Sequence, residues 1–201
     1  MEIRLLKNAE EKFQARLIAA VAFHMRMEDP AKAREESEKE TDQHWGAFND
    51  DGAMTAHIIN NQFVSRLDGM EVRNGGIGAV STLPEYRLDG AVKEIFRELL
   101  PYAYRDGEVI STLYPFSHSF YRKFGYETTC RGTNYEIPTN ALPRIRHDGW
   151  IKMWRPGNST EDYTALYTQF ISRYNTAIFR DDARMANVHI KGDCYKDRYF
   201  C

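Results

Sequence analysis

Cysteine is scarce in this sequence of 201 residues, which contains three: Cys130, Cys194 and Cys201. Their odd number and wide spacing argue against a disulfide framework and against a zinc site of the C-x-x-C type. The six histidines show no ligand spacing such as H-x-x-x-H, so we predict that the chain binds no metal.

Long apolar runs are also missing. No stretch approaches the length of a membrane span, and the N-terminal residues MEIRLLKNAEEKF contain no apolar signal core. These features predict an unprocessed cytoplasmic protein that does not contact a membrane. Positive charge is not in excess, because 27 Lys and Arg residues face 29 Asp and Glu residues and are scattered. Nucleic acid is therefore not an expected partner.

Apolar residues make up 42% of the chain, which is enough for a folded core in one large or two small domains. Alternating patterns predict antiparallel hairpins over the first 75 residues. A series of strand, helix, strand, helix and strand then continues to residue 137. This order predicts an α/β (α+β) fold, with a mixed and mostly antiparallel sheet flanked by helices.

Two helices are predicted before the hairpins. Asn8 can cap the first helix, with Glu11 completing a capping box, and this helix runs to about Phe23. The residues expected to face inward are Phe13, Leu17, Ala20 and Val21. Residues 28–42 are highly charged and prefer a helix interrupted by Pro30. Their acidic excess could attract an amine, but we favour the interpretation that these residues form a charged helix face exposed to solvent.

Turn residues divide the rest of this region into predicted elements. Strands are expected at 45–48, 53–59, 63–67 and 76–83, with a turn at Asn60-Asn61. A helix is expected from about Leu88 to Pro101, followed by a strand at 109–113. Ser117 or Ser119 opens a brief helix that Gly125 ends, and residues 126–137 form a last strand.

The C-terminal part is predicted as a separate region. Residues 1–137 form the first domain, 138–148 a linker and 149–201 a second, incomplete segment. That segment contains a capped helix after Ser159 and predicted strands at 150–154, 186–190 and 195–200. About 50 residues with one helix rarely fold alone, so this segment packs on the first domain or a partner, or the chain is a fragment.

Residues 75–100, GGIGAVSTLPEYRLDGAVKEIFRELL, are the most informative segment. A strand of small and apolar residues ends at Pro84, and a short loop leads into an amphipathic helix. The first turn of such a helix has free N–H groups, which bind a phosphate through hydrogen bonds and the helix dipole. The pattern itself does not identify the phosphate.

Two motifs carry a family resemblance. Residues 80–90, VSTLPEYRLDG, resemble the acetyl-CoA signature of the GNAT superfamily of N-acetyltransferases. Residues 114–126, YPFSHSFYRKFGY, resemble the helix and strand that follow in that fold. Together they most resemble the enhanced intracellular survival branch over residues 1–137. Residues 149–201 resemble the opening of that branch's second acetyltransferase-like domain.

The resemblance implies an acetyl-CoA-dependent N-acetyltransferase that moves the acetyl group directly to a primary amine, with a small molecule as the expected acceptor. Tyr121 is then the general acid that protonates the departing coenzyme A thiolate. From the spacing alone, an aromatic core position is the better interpretation of Tyr121. The residues implied to bind the cofactor are Val80, Ser81, Thr82, Arg87, Leu88, Asp89, Gly90, Ala91, Val92, Lys93, Phe116 and Ser117.

Two departures from the family pattern leave other functions open. Val92 stands where the R-x-x-G-x-G/A pattern has a small residue, and Asp89 places a negative charge beside the expected pyrophosphate. The resemblance also implies that a terminal carboxylate, two domains further on, accepts the amine proton, whereas this sequence ends at Cys201. The alternative is therefore a catalytically degenerate module of a longer protein, used for binding coenzyme A or for oligomerisation. A homo-oligomer is possible in either case.

Overall fold

The structure is a computed structural model that describes residues 1–27, 29–143, 148, 158–181 and 184–185. Contacts divide the chain into two compact units, Met1–Tyr126 and Glu127–Cys201. The predicted division of the chain at residues 137 and 148 stays a prediction.

The first unit is built on a five-stranded sheet. Its strands are β1 (Glu2–Leu5), β2 (Gln43–Phe48), β3 (Met54–Leu67), β4 (Met70–Thr82) and β5 (Ile110–Leu113). They lie side by side in sequence order. The first four pair antiparallel, and β5 pairs parallel to β4. The predicted mixed, mostly antiparallel sheet flanked by helices is confirmed.

The long hairpin of β3 and β4 corrects one prediction. The expected turn at Asn60-Asn61 does not occur, because both residues lie within β3 and pair with Ile77 and Gly76 of β4. Asn60 is buried and donates to the carboxylate of Glu108 over 2.8 Å. A tertiary hydrogen bond thus engages the amide nitrogen of a side chain that, in the sequence alone, indicates a turn.

Two helices precede β2. Helix α1 (Ala9–Ala22) begins after Asn8, whose side chain accepts the N–H of Glu11, so the predicted cap is confirmed. The predicted inward face of α1 is partly wrong: Phe13 is buried, but Leu17 and Val21 are exposed, and the other buried residues are Ala15, Ile18 and Ala19. Helix α2 (Pro30–Lys39) starts at Pro30 rather than breaking there. Proline suits a first helical position, where its missing N–H costs nothing.

Helix α3 (Ala91–Arg105) differs from the prediction at both ends. It begins three residues after Leu88, which has a positive φ of 78° and lies in the loop. It also continues through Pro101, which removes one helical hydrogen bond. Leu99 and Ala103 are buried on either side of Pro101, so core packing stabilises the last turn against that loss.

The main core lies between α3 and one face of the sheet. Its buried residues come from β2, β3, β4 and α3, and Tyr121 closes one side. The members from the sheet and α3 are Trp45, Ala47, Ala56, Ile58, Ile77, Ala91, Ile95, Phe96, Leu99 and Ala103. A second, smaller cluster lies between α1 and the sheet and consists of Ala15, Ile18, Phe48 and Met54.

A short helix, α4 (His118–Arg122), follows β5. Ser117 caps it, with its hydroxyl accepting the N–H of Phe120 over 3.3 Å. The strand predicted over 126–137 is wrong. Residues 127–137 adopt no regular structure and are exposed, and the β-forming preference of their Thr and Tyr side chains is one that context decides.

The second unit contains α5 (Glu161–Ile171), as predicted after Ser159. The Tyr167 hydroxyl donates to the carbonyl oxygen of Ile178 over 2.7 Å, and the Arg180 guanidinium lies 4.6 Å from the centre of the Tyr167 ring. The strands predicted at 150–154, 186–190 and 195–200 lie outside the described residues. In the part of the chain that is described, no helix is long and apolar enough to cross a membrane.

Candidate active site

Strand β4 has two different edges. On one edge, β4 pairs with β3 as far as Thr82. On the other edge, β5 pairs only with residues Asn74–Ile77 of β4. Beyond Ile77 the edge that faces β5 has no partner strand among the described residues. The ladder with β3 also shifts by one residue there, because His57 pairs with Ser81 and Ile59 with Gly78. This bulge turns the strand and exposes backbone groups at an open notch in the sheet.

Ala79 is the strained residue of the bulge. Its φ of 49° lies in the left-handed region, which a side chain with a Cβ rarely adopts. Such strain persists where the surrounding structure imposes it, and it is common next to functional sites. Val80 follows and packs against the α3 side of the sheet.

The start of α3 supplies a second polar feature. Gly90 caps the helix with a left-handed φ of 83°, a conformation that glycine adopts without strain. The first backbone hydrogen bond of the helix runs from the N–H of Glu94 to the carbonyl of Gly90. Within the described residues, the amides from Leu88 to Lys93 donate no hydrogen bond. These amides fit a phosphate.

Tyr121 contributes a buried phenol. Its ring is 4% exposed and lies between Phe96, Phe116, Phe120 and Tyr126, with ring centres 5.2 to 6.3 Å away. Burial raises the pKa of its hydroxyl above the ordinary value of 10.0. The phenol is therefore protonated at neutral pH and can donate a proton.

One core cluster connects these three features. Val80 at the bulge and Val92 in the first turn of α3 both pack against the cluster that contains Tyr121. Phe96, one turn after Val92, meets the Tyr121 ring edge to face at 6.3 Å. The notch, the helix start and the phenol therefore belong to one region of the first unit.

The remaining predicted site residues differ in exposure. Ser81 is buried and its hydroxyl donates to the His57 carbonyl over 3.5 Å. Thr82 is half-buried and Phe116 exposed, and the Ser117 hydroxyl caps α4. Arg87, Leu88, Asp89 and Lys93 are all exposed around the helix start, so two cations and one anion surround the free amides.

An open groove of about 460 Å³ lies between α1 and the start of β3. One wall is the exposed side of α1, and the floor includes Met54 at the start of β3 and Leu83 just after β4. Asp51 adds a carboxylate to its rim.

A polar cluster that the sequence did not predict lies on the α1–α2 side of the sheet. His44 of β2 and His57 of β3 are both buried, with Nδ1 of His44 3.1 Å from Nε2 of His57. Nε2 of His44 is 3.3 Å from Oε2 of Glu40, the residue that ends α2. The only sequence signal was two histidines in the alternating pattern of neighbouring strands.

Among the described residues, no group of three or more His, Cys, Asp or Glu side chains is positioned to hold a metal ion. What the region does present is a helix start for phosphate and an open strand edge for an extended ligand.

Comparison with known families identifies this arrangement. Residues 2–129 match the family described as acetyltransferase (GNAT) domain. The chain belongs to the GNAT acetyltransferase family. The match spans the sheet, the bulge, the start of α3 and Tyr121, so the features above lie within the GNAT domain. No protein with a curated description matches the sequence.

Solved structures share the GNAT fold. A conserved protein of unknown function from Enterococcus faecalis, described as a probable N-acyltransferase, is similar with a TM-score of 0.79 and 24% identity, covering 96% of this chain and 49% of that one. A GCN5-related N-acetyltransferase from Anabaena variabilis is similar with a TM-score of 0.72 and 21% identity, covering 96% and 49%. Eis1 from Mycobacterium abscessus is similar with a TM-score of 0.65 and 21% identity, and the match covers 94% of this chain and 47% of Eis1.

The chain thus spans about half the length of these three structures. At such identities the comparison supports the fold of this GNAT protein and leaves its substrates to be inferred from its own site.

Proposed function

We propose that this GNAT protein is an acetyl-CoA-dependent N-acetyltransferase that transfers the acetyl group directly to a primary amine of a small molecule. The observation that carries the proposal is the joint placement of an open strand edge, a helix start with free amides and a buried, protonated phenol. These are the groups that thioester aminolysis requires. The donor must be held, its carbonyl polarised and its leaving thiolate protonated.

In this proposal the amides from Leu88 to Lys93 hold the pyrophosphate, with help from the positive end of the α3 dipole. Arg87 and Lys93 add positive charge at the same place. The open edge of β4 between Gly78 and Thr82 pairs with the extended pantetheine arm. The N–H of Val80 polarises the thioester carbonyl as an oxyanion donor.

Tyr121 then acts as general acid. The amine nitrogen bonds to the acetyl carbon, and the carbon–sulfur bond breaks. The sulfur leaves with the bonding electrons and takes the phenolic proton. The nitrogen gives one proton to water, and the Tyr121 phenolate takes one proton back from water, so that the thiol, the amide and the phenol all end neutral. Because burial raises the pKa of Tyr121, the phenol stays protonated until a thiolate forms beside it. No covalent acetyl-enzyme is needed.

The first test is calorimetry of the full chain with acetyl-CoA and with a non-transferable thioether analogue. We expect both to bind with micromolar affinity, after which a panel of primary amines is screened for acetylation. No binding at millimolar ligand would contradict the proposal and favour the oligomerisation module instead. Binding of both ligands without turnover of any amine would favour a degenerate coenzyme A-binding domain.

Asp89→Asn is expected to tighten coenzyme A binding by about two- to fivefold at 0.15 M salt. Asp89 is exposed in the loop before α3, where its carboxylate repels the pyrophosphate, and Asn keeps its shape without its charge. Glu98→Gln is the matched control, since Glu98 lies seven residues into α3, about 10 Å along the axis. Calorimetry measures both, and equal affinities in the Asp89 variant and the parent would mean that the phosphates bind elsewhere.

The enhanced intracellular survival branch remains our proposal for the closest family relationship. Its support is the Y-x-x-F-G-Y segment, residues 121–126, together with the fold shared with Eis1 over most of this chain. The acceptor class, a small cationic amine, is proposed from the groove and its rim carboxylate Asp51.

A further inference from the structure

We propose that Phe116 is a positioning residue for acetyl transfer: its ring closes the solvent side of Tyr121 and so holds the phenol where the leaving thiolate needs a proton. The inference rests on the proposed function for what the phenol does, whereas the contact between the two rings is a property of the chain itself. It gives a role to a large aromatic side chain that stays mostly exposed beside the candidate general acid.

Four aromatic rings surround Tyr121, and they are not equivalent. Phe96 belongs to the main core cluster, and Phe120 and Tyr126 pack against it. Phe116 is 72% exposed, yet the centre of its ring lies 5.2 Å from that of Tyr121, at an interplanar angle of 68°. Tyr121 itself is only 4% exposed. Phe116 therefore lies between the Tyr121 ring and solvent, and the other three rings lie on the core side.

The backbone around Phe116 is tied to the helix that carries Tyr121. Residues 114–117 join β5 to α4. Pro115, immediately before Phe116, has a φ angle that its ring fixes. The carbonyl oxygen of Ser117, immediately after Phe116, accepts the N–H of Tyr121 over 3.3 Å. Phe116 is therefore placed against Tyr121 by a short connection that has little freedom to move.

No hydrogen bond to a described residue orients the Tyr121 hydroxyl. Tyr126 differs in this respect, because its hydroxyl lies 2.7 Å from that of Ser111. Ring packing therefore sets the position of the Tyr121 oxygen. A proton donor acts only within hydrogen-bond reach of its acceptor, so a small displacement of the ring lowers the rate. Of the four packing rings, Phe116 is the one whose removal leaves the core closed.

The Phe116 ring also keeps water away from the phenol. Burial is the cause that raises the pKa of Tyr121 above its ordinary value of 10.0. Among the four surrounding rings only that of Tyr126 titrates, and burial raises its pKa to about 12. Removal of Phe116 should bring water to Tyr121 and move its pKa down toward 10.0.

Charged side chains near Tyr121 point to the same expectation. His118 and Arg122 lie in α4, and Lys123 follows that helix. All three are exposed, so solvent and salt screen their effect on the buried phenol. Desolvation is then the property that a substitution of Phe116 changes.

Phe116→Ala is expected to lower kcat about 10-fold in the full chain, because the phenol loses one wall and is out of place for part of the time. Affinity for acetyl-CoA, measured by calorimetry, should stay within about threefold of the parent. Phe116→Leu should keep about half of the parent kcat, since leucine refills the wall with apolar bulk. A loss of affinity as large as the loss of kcat would overturn the proposal and make Phe116 a cofactor contact.

Tyr114→Ala is the matched control. Tyr114 is an aromatic residue of the same connection and is 96% exposed, but it is not among the rings that contact Tyr121. Its variant should keep kcat within about twofold of the parent. An equal loss in the Tyr114 and Phe116 variants would mean that the connection as a whole matters, and the proposal would fail.

The pH dependence of kcat separates positioning from a general loss of structure. 2,2,2-Trifluoroethylamine is the acceptor, because its ammonium is acidic enough for the amine to be uncharged over the whole alkaline range. Since the protonated phenol is the acid, kcat of Phe116→Ala should fall off at lower pH than kcat of the parent. The profile of Tyr114→Ala should match the parent. A profile of Phe116→Ala that is lower but not displaced would contradict the shielding of Tyr121 by Phe116.

Carbon NMR of the tyrosine Cζ atoms gives a result that does not depend on turnover. In the ¹³C-tyrosine-labelled chain, the Tyr121 signal is the one that disappears in Tyr121→Phe. Its titration midpoint should be lower in Phe116→Ala than in the parent and unchanged in Tyr114→Ala. Equal midpoints in the parent and Phe116→Ala would overturn the proposal. If the midpoints differ as expected while the parent acetylates no amine, the proposed function fails and the shielding of Tyr121 stands.

Discussion

Tyr121→Phe is expected to lower kcat about 10²- to 10³-fold while leaving the affinity for acetyl-CoA within about twofold. The ring stays in its aromatic surroundings, since only one oxygen is removed and that oxygen forms no hydrogen bond with a described residue. What is lost is the proton that the leaving thiolate receives. Steady-state acetylation with a saturating amine and calorimetry with acetyl-CoA measure the two quantities separately.

Tyr126→Phe is the matched control for this substitution. Tyr126 belongs to the same aromatic cluster, and its hydroxyl is 2.7 Å from the Ser111 hydroxyl. Burial raises the pKa of Tyr126 to about 12. Its loss should cost about 1 kcal/mol of stability and leave kcat near that of the parent. Equal losses of kcat in the two variants, or a Tyr121 variant that loses turnover and cofactor affinity together, would make Tyr121 a structural residue.

Phe96→Ala is expected to destabilise the first unit by about 3–5 kcal/mol. Phe96 is 1% exposed, and its ring stacks on Phe124 at 4.3 Å while meeting Tyr121 and Tyr126 edge to face. Alanine removes these contacts and leaves a cavity between α3 and the residues around α4. Urea unfolding followed by tryptophan fluorescence measures the change, because Trp45 lies in the same core cluster.

Tyr104→Ala provides the comparison within one helix. Tyr104 is also aromatic and also in α3, but it is 79% exposed, so its removal should change stability by no more than about 0.5 kcal/mol. If Phe96→Ala cost as little, the aromatic cluster would not hold α4 against α3. Contacts other than those with Phe96 would then have to position the Tyr121 ring.

Much of the fold could be predicted because local patterns agree with the tertiary structure. The Asn8 cap, the amphipathic period of α3 and the pattern at 45–48 each predicted an element that exists. The errors occurred where distant contacts override a local signal. Asn60 reads as a turn residue until Glu108, 48 positions later, accepts its amide hydrogen. Pro101 reads as a helix end until the burial of the residues around it is known.

The candidate site divides in the same way. A helix start with free amides near residue 90 and an aromatic core position for Tyr121 could be predicted, because each belongs to one continuous segment. The functions assigned to these residues stay predictions. The bulge at Ala79 could not be predicted, since it depends on how β4 pairs with β3. The polar cluster of Glu40, His44 and His57 could not either. Its three members come from a helix end and two strands, and only the register places them within hydrogen-bond distance.

The unequal pairing of β4 also has a consequence for how the molecule opens. The β3–β4 ladder is long, whereas β5 is attached by four residue pairs at one end. Amide hydrogen exchange should therefore be slowest in β3 and β4 and faster in β5, because short ladders separate at lower free energy. Spreading at that seam would widen the notch without melting the core. A ligand would then enter and leave when β5 separates transiently from β4, while the pairing with β3 keeps the bulge in place.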